Sequence, residues 1–330
     1  MQNIMRAAFY DQTGAAKDVL QVGSLEIPQP ARNEVLIKVE AHGVNPTDCK
    51  RRSGFRGALN YPRVIPGFDA AGVIVDVGID VPSHHIGKRV WAWECAHKRW
   101  DGAASEYTVV PLTRAMPLAD KDDFAHGASL GVPAMTAARA VRLGEISPDD
   151  LVIVTGGAGA VGNAAIVLAK MLGAQVLATA RDDLRAEDAK KAGANWVISP
   201  DVQQIKTTVH DLTNGAGARL MVDVDLGAHL SDAWSFIAQN GKIASYGSAS
   251  NPEPQLPWAP YMYRNISLHG VAIFEITEEE KLACASLVAK ALEQGLFPRR
   301  IDSEFTLEQI ASAHLRQEEG RPIGTIIVRP

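Results

Sequence analysis

The sequence predicts an α/β protein that combines a mostly-β domain with a doubly wound parallel sheet of six strands. The 330 residues exceed the roughly 250–300 at which a single core usually stops growing, so two domains are expected. Residues 1–128 are rich in β-forming residues, and their prolines exclude long helices. From residue 151 onward, short apolar strands alternate with helical segments, which is typical of a parallel sheet covered on both faces.

The individual elements follow from hydrophobic periodicity and from the turn residues between them. The predicted strands lie at 35–39, 71–77, 151–154, 176–179, 196–198, 220–224, 242–246, 267–274 and 324–328. The predicted helical segments lie at 124–143, 161–172, 183–192, 202–212, 230–238, 278–294 and 307–317. The last strand is expected to return to the first domain. We therefore predict one domain at 1–128, completed by 271–330, and a second domain at 129–270.

Composition argues against several classes of protein. The net charge of -5 leaves no excess of Lys and Arg to neutralise the phosphates of a nucleic acid. No stretch approaches the roughly 20 apolar residues of a membrane span, and residues 1–9 lack the apolar run of a signal peptide. The three cysteines, Cys49, Cys95 and Cys284, are too few and too widely spaced for a disulfide framework. We expect a cytoplasmic protein that binds neither nucleic acid nor membrane.

The strongest motif is a glycine-rich turn between the strand at 151–154 and the next helix. Its members are Gly156, Gly157, Ala158, Gly159, Ala160, Val161 and Gly162. Gly156 permits a tight turn, Gly159 lets the backbone approach a pyrophosphate, and Gly162 lets the helix pack closely on the strand. The helix N-terminus offers N–H groups to the phosphates. The motif predicts a dinucleotide site, with a purely structural turn as the alternative.

The residues at the end of the second strand of the parallel sheet indicate which of the two nicotinamide cofactors is bound. An NAD enzyme usually carries an acid there, which binds the ribose 2′-hydroxyl, whereas this chain has Thr179 or Ala180 in its place. Arg181 and Arg185 are available to bind a 2′-phosphate. The acids at 182–183 either cap the next helix or bind a ribose hydroxyl. The pattern favours NADPH.

Later strand ends supply further candidates, because ligands bind at the carboxyl ends of strands in open α/β sheets. Gly247 and Ser248 follow the fifth strand and are candidate neighbours of the nicotinamide. Phe274 ends the predicted sixth strand, where it would cover the cofactor. That strand is expected at the sheet edge, where pairing across a two-fold axis would give a homodimer.

Besides the glycine turn, five segments combine a characteristic order and spacing. They are GVNPTD at 43–48, IPGFDAAG at 65–72, GKRV at 87–90, GAASEY at 102–107 and VPAMTA at 132–137. With these segments the chain resembles, over essentially its whole length, the zinc-free quinone oxidoreductase (zeta-crystallin-like) branch of the medium-chain dehydrogenase/reductase superfamily. The resemblance implies a GroES-like catalytic domain and a Rossmann domain, with the active site in the cleft between them.

The resemblance also implies roles for single residues. Asn45 stands where the zinc-dependent members have a Cys ligand and Phe68 where they have a His, so no metal site is expected. Asn45 is expected to hydrogen-bond the ribose or the acceptor oxygen, and Thr136 to orient the nicotinamide. Lys50 and Arg56 stand where many relatives carry tyrosines. Each either stabilises negative charge on the reduced acceptor, binds an acidic group of the substrate, or is simply solvated.

A site without a Lewis acid suits an electron-poor acceptor, because the cofactor supplies the difficult chemistry. The resemblance thus implies an NADPH-dependent reductase of a small quinone or α,β-unsaturated carbonyl. A 2-enoyl thioester reductase is the alternative enzyme, and an NADPH-binding structural or regulatory protein is the alternative without catalysis. Trp91 and Trp93 either stack on a planar acceptor or pack in the core.

Overall fold

The structure, a computed structural model, describes residues 4–55, 57–320 and 322–330. The chain divides into two units, Met1–Val132 with Arg299–Pro330, and Pro133–Pro298. None of the helices within the described ranges combines the length and the apolar character that crossing a bilayer requires. Arg56, a predicted site residue, lies outside the described residues.

The strands and α-helices are numbered in chain order. The strands are β1 (Ile4–Phe9), β2 (Gln21–Glu26), β3 (Glu34–Val44), β4 (Asp69–Val77), β5 (Arg89–Ala92), β6 (Tyr107–Pro111), β7 (Ala115–Pro117), β8 (Leu151–Val154), β9 (Gln175–Thr179), β10 (Trp196–Ile198), β11 (Ala218–Asp223), β12 (Ile237–Ser245), β13 (Ser267–Gly270), β14 (Ile301–Thr306) and β15 (Thr325–Arg329). The helices are α1 (Ala16–Val19), α2 (Pro46–Ser53), α3 (Phe124–Ala128), α4 (Gly131–Gly144), α5 (Ala160–Met171), α6 (Asp183–Lys191), α7 (Val202–Thr213), α8 (Leu226–His229), α9 (Trp258–Tyr263), α10 (Glu278–Glu293) and α11 (Ile310–Glu318).

The second unit is built on a parallel sheet. In the described chain its six strands have the order β10-β9-β8-β11-β12-β13, and every neighbouring pair is parallel. Counted along the chain this order is 3-2-1-4-5-6, the doubly wound arrangement of dinucleotide-binding domains. The central strand β8 is apolar and buried at every position, as expected for a strand covered on both faces. The predicted Rossmann fold is confirmed.

The first unit is mostly β, as predicted. Its larger sheet has the order β14-β15-β3-β4-β5-β7 in the described residues, and β6 also pairs with β3. The C-terminal strand β15 pairs antiparallel with β3, where Ile326 lies opposite Val44. Strands β3 and β4 pair with Gly43 opposite Asp69, so the end of β3 lies beside the start of β4.

The prediction of a helix at 230–238 is wrong. Helix α8 ends at His229 and strand β12 already begins at Ile237, with only a 3₁₀ turn between them. The carbonyl of Ser231 accepts a hydrogen bond from the Trp234 indole N–H at 3.0 Å, and the Ser231 hydroxyl donates to the next side chain. The indole occupies a carbonyl oxygen that would accept a backbone N–H if the helix continued.

The sixth strand of the parallel sheet is shorter than the predicted 267–274. Strand β13 ends at Gly270, and Phe274 lies in a 3₁₀ turn, Ile273–Glu275. The N–H of Glu275 closes this turn on the carbonyl of Ala272 at 3.0 Å. Phe274 therefore does not end a strand.

The units also differ from the predicted domains. Residues 271–298, assigned from the sequence to the first domain, belong to the second unit. The reason is helix α10, which packs against α5 and buries Cys284 and Val288 completely. The predicted boundary after residue 128 lies at Val132 in the structure.

Candidate active site

The glycine turn joins β8 to α5. Gly156 has a φ of 66°, in the left-handed region that favours glycine. A Cβ on Gly162 would lie 2.3 Å from the carbonyl oxygen of Gly156, so a side chain there would push α5 away from the turn. The N–H of Gly156 donates to Thr179 Oγ1 at 3.0 Å, and the N–H of Gly157 donates to the Thr179 carbonyl at 2.9 Å. The turn is thereby tied to the end of β9.

Helix α5 follows the turn directly, with Gly159 as its N-cap residue. The first N–H groups of a helix lack intrahelical partners, and the helix dipole adds partial positive charge at this end. In α5 these groups belong to Ala160, Val161 and Gly162. Ala158, the remaining member of the predicted motif, is buried within the turn. The arrangement is suited to binding an anion such as a phosphate.

The two arginines after β9 differ in their surroundings. Arg181 is exposed and makes no ion pair within the part of the chain that the structure describes. Arg185 Nη1 lies 2.6 Å from Asp182 Oδ2, and Asp182 also caps α6 by accepting the Arg185 N–H at 2.9 Å. Thr179 is buried, and its hydroxyl oxygen holds the glycine turn. Arg181 is therefore the more available cation.

A buried polar network links the carboxyl ends of β8, β11 and β12. Thr155 Oγ1 donates to Asp223 Oδ1 at 2.8 Å, and His229 Nδ1 lies 2.9 Å from the same oxygen. Ser245 Oγ donates to the Asp223 carbonyl at 3.2 Å. Burial lowers the pKa of His229, but the hydrogen bond and charge of Asp223 outweigh it and raise that pKa above its usual value. Sequence analysis missed His229, because a single histidine outside any motif carries no signal.

The three other predicted cofactor contacts also have structural roles. A Cβ on Gly247 would lie 2.4 Å from the carbonyl oxygen of Val224, so this position requires glycine for packing against the end of β11. Ser248 Oγ donates to the carbonyl of Asn251. Phe274 is buried. Their contacts to a cofactor remain predictions.

In the first unit, Asn45 is the N-cap residue of α2, and its side chain is buried. Asn45 Nδ2 donates to Asp69 Oδ2 at 2.8 Å. The backbone N–H of Asn45 donates to Asp48 Oδ2 at 2.9 Å, and the other oxygen of Asp48 accepts the N–H of Gly67 at 2.9 Å. Two buried carboxyl groups therefore hold Asn45, one by its side chain and one by its backbone.

Burial dominates the electrostatics of both carboxyl groups. It raises the pKa of Asp48 to about 6, although the N–H groups of Asn45 and Gly67 lower it. Burial also raises the pKa of Asp69 well above its usual value, against the hydrogen bonds from Asn45 and Val132. Sequence analysis assigned no role to either aspartate. The available signal was their place in the segments 43–48 and 65–72.

The other predicted site residues lie in different surroundings. Lys50 is exposed on α2, and its Nζ lies 5.6 Å from the centre of the Phe55 ring. Thr136 is buried within α4 and belongs to the second unit. Trp91 and Trp93 are fully buried, with ring centres 5.5 Å apart, so both indoles pack in the core of the first unit.

Asn45 and Phe68 are the residues for which the resemblance implies zinc-ligand positions in other members of the superfamily. Phe68 is apolar and buried, and the Asn45 amide is bonded to Asp69. Within residues 4–55, 57–320 and 322–330, no three His, Cys, Asp or Glu side chains are grouped as ligands of a metal ion. Cys49 is buried, which raises the pKa of its thiol to about 12 and removes thiolate character at neutral pH.

A GroES-like β unit, together with a Rossmann unit that carries a glycine turn, defines a medium-chain dehydrogenase/reductase. The family model for the alcohol dehydrogenase GroES-like domain matches residues 31–120, and the model for zinc-binding dehydrogenases matches residues 160–289. The quinone oxidoreductase of Rattus norvegicus is 30% identical over 321 residues, which cover 95% of this chain and 94% of the rat protein. The chain therefore belongs to the quinone oxidoreductase branch of this superfamily.

Two solved structures extend the comparison. A mycobacterial protein in complex with NADPH has a TM-score of 0.84 and 26% identity, and the match covers 99% of this chain and 100% of that one. An NAD-dependent alcohol dehydrogenase has a TM-score of 0.88 and 26% identity, with the same coverage. The fold is thus shared by proteins that differ in cofactor, so the choice of cofactor depends on the residues of the site.

Proposed function

We propose that the chain is an NADPH-dependent oxidoreductase that reduces a small quinone or α,β-unsaturated carbonyl without a catalytic zinc ion. The observation that carries the proposal is the buried Asn45 amide. It is bonded to Asp69 at the position where zinc-dependent members of the superfamily have a cysteine ligand. The relationship to the rat quinone oxidoreductase supports the same assignment.

The glycine turn fits the phosphates of a dinucleotide. Its glycines keep side chains out of the space beside the first N–H groups of α5, where an anion would be held. Arg181 supplies a charge for a 2′-phosphate, which favours NADPH over NADH, and the mycobacterial neighbour was solved in complex with NADPH. Bound NADPH would supply the hydride for the reduction.

The Asn45 amide suits a conjugated carbonyl acceptor better than an alcohol. An amide N–H stabilises negative charge that develops on an acceptor oxygen through a hydrogen bond. Oxidation of an alcohol would instead need a group that strongly acidifies the hydroxyl, and neither Asn45 nor Phe68 can bind a metal that would do so. This difference in chemistry favours quinones and enones.

Stopped-flow measurement of NADPH oxidation against quinones, enones and 2-enoyl thioesters tests the proposal, with NADH and alcohols as comparisons. We expect turnover of quinones or enones with NADPH by purified protein that contains no stoichiometric zinc. Asn45→Ala should lower kcat/KM roughly 100-fold. Asp76→Asn, on an exposed position of β4, is the matched control and should leave it unchanged. Alcohol oxidation that depends on bound zinc would contradict the proposal.

A 2-enoyl thioester is the second candidate substrate. Lys50 is exposed beside Phe55, where a cation could bind an acidic group of a large acyl carrier. A kcat/KM that is higher for enoyl thioesters than for free enones, and that falls in Lys50→Ala, would select this candidate. NADPH binding without turnover of any acceptor would instead favour a structural or regulatory protein.

We also propose a homodimer that forms along β13. This strand is one of the two edges of the parallel sheet in the described chain, and an unpaired edge can pair with a second copy. Exposed apolar side chains accompany it, namely Trp258, Met262 and Tyr263 on α9 and Leu268 on β13. Sedimentation should give a dimer for the wild type and a monomer for Leu268→Arg. A monomeric wild type would contradict the proposal.

A cytoplasmic location is proposed on the state of the cysteines. Cys49, Cys95 and Cys284 are buried free thiols, which suits a reducing compartment. Cell fractionation tests this proposal. Recovery of the protein outside the cytoplasm would contradict it.

A further inference from the structure

The Asp69 carboxylate is held on several sides at the start of β4. Besides accepting Asn45 Nδ2 at 2.8 Å, its oxygens Oδ1 and Oδ2 lie 2.8 Å and 2.9 Å from the backbone nitrogen of Val132, which donates to them. Asp69 is 1% exposed and Asn45 is 3% exposed, so water does not compete for these bonds. The Val132 N–H at the start of α4 therefore holds the carboxylate in place, and the carboxylate in turn fixes the orientation of the Asn45 side chain.

Gly131 makes this arrangement possible. A Cβ at Gly131 would lie 2.1 Å from Asp69 Oδ1 and 2.3 Å from its carboxyl carbon. Only glycine therefore lets the start of α4 approach closely enough for the Val132 N–H to bind the carboxylate. Asp69 and Val132, which are far apart in sequence, thus meet within the first unit.

A primary amide such as that of Asn45 has two N–H donors and one oxygen acceptor. The bond to Asp69 commits one N–H, which leaves the second N–H and the oxygen with a fixed direction. Asp69 accepts at each of these contacts, since the Val132 N–H donates to both of its oxygens and Asn45 Nδ2 donates to one of them. In this ionised form Asp69 rejects the flipped amide, in which the Asn45 oxygen would face it. The hydrogen bond to Asp69 therefore determines whether a ligand meets the N–H or the oxygen of the Asn45 amide.

We propose that Asp69 is a positioning residue that sets the orientation of the Asn45 amide for the acceptor or the cofactor ribose. The effect on catalysis rests on the proposed function, whereas the orientation itself does not. Asp69 acts through Asn45 and contacts neither hydride donor nor acceptor.

Nuclear magnetic resonance of the ¹⁵N-labelled full chain tests the orientation without any substrate. The Asn45 side-chain NH₂ signals, assigned by their absence in Asn45→Ala, should exchange with water at least about tenfold more slowly than those of exposed Asn214. In Asp69→Asn the new amide has only one oxygen for Val132 and Asn45, so the Asn45 signals should shift and lose protection. Unprotected Asn45 signals in the wild type would overturn the proposal, even if Asp69→Asn does not fold.

A double-mutant cycle on kcat/KM with a quinone tests the consequence for catalysis. Asp69→Asn should lower kcat/KM roughly 10- to 100-fold in the wild-type background, and less than about twofold in the Asn45→Ala background. Gly131→Ala, which displaces the carboxylate without removing it, should reproduce the loss. Equal losses in both backgrounds would overturn the proposal, because a merely structural effect is additive. If the wild type reduces no acceptor, the proposed function fails and the magnetic resonance result alone decides the role of Asp69.

Discussion

The glycine turn of the second unit and the Asn45 site of the first unit are built in different ways. The turn takes its shape from one contiguous segment, 156–162, and offers backbone N–H groups. The Asn45 site, formed by Asn45, Asp48, Asp69 and Val132, joins distant parts of the chain. Its Asp69 carboxyl group is buried and binds Asn45, 24 residues before it, and Val132, 63 residues after it. A site made of backbone depends on the absence of side chains, whereas a site made of buried side chains depends on their protonation. The two units should therefore fail under different perturbations.

His42 should lower the stability of the first unit in acid, and this is the largest effect we expect from a single residue. His42 is fully buried on β3, so its charged form is cut off from water, and a backbone hydrogen bond at Gly43 only partly offsets this. Burial lowers its pKa from 6.5 to about 4, so between these values the unfolded chain binds a proton that the folded chain does not. Stability present above pH 6.5 is lost as the pH falls to 4, on the order of 3 kcal/mol from His42 alone. Burial lowers the pKa of His314 to about 3, which adds a loss of the same sign.

Urea unfolding of the wild type and of His42→Leu, near pH 7 and near pH 4, measures this effect. The variant lacks the titrating ring, so its loss of stability in acid should be smaller by about the contribution of His42. Asp48 and Asp69 have the opposite sign, because their raised pKa values add stability in acid that is lost as the pH rises, for Asp48 through about 6. Both aspartates are present in both proteins, so their contributions cancel in the difference. Equal acid losses in both proteins would contradict the prediction.

Gly162→Ala should damage the second unit by a smaller amount and at any pH. The new Cβ would lie 2.3 Å from the carbonyl oxygen of Gly156 and 3.0 Å from its carbon, so backbone rather than a flexible side chain has to move. We expect a loss of about 2 kcal/mol of stability and at least about tenfold weaker NADPH binding. Gly270→Ala is the control, since nothing lies within 4 Å of its Cβ. Calorimetric titration that shows unchanged affinity in Gly162→Ala would contradict the role of the turn.

The same contrast explains what could be predicted from the sequence. The predicted strands at 151–154 and 196–198 have the bounds of β8 and β10, because apolar runs between turn residues are local signals. The predicted helix at 230–238 was wrong, because the Trp234 indole bonds the Ser231 carbonyl and a 3₁₀ turn follows at Ala233–Ser235. The pairing of Asn45 with Asp69 could not be predicted, because it depends on the register between β3 and β4 and on the position of α4.

Arg181→Ala should have the smallest effect and should test whether the second unit uses any side chain to select its cofactor. Arg181 is exposed, so water and salt weaken its interaction with a 2′-phosphate, and we expect a roughly tenfold loss of NADPH affinity with unchanged NADH affinity. Arg185→Ala should change the ratio of NADPH affinity to NADH affinity less, because the Arg185 guanidinium is bonded to Asp182. Lys191→Ala, exposed at the end of α6, is the matched control. Fluorescence titration that shows equal losses for both cofactors in Arg181→Ala would place the selectivity elsewhere. Arg181 would then contribute to the binding of both cofactors, and a preference of the second unit for NADPH would come from a different group.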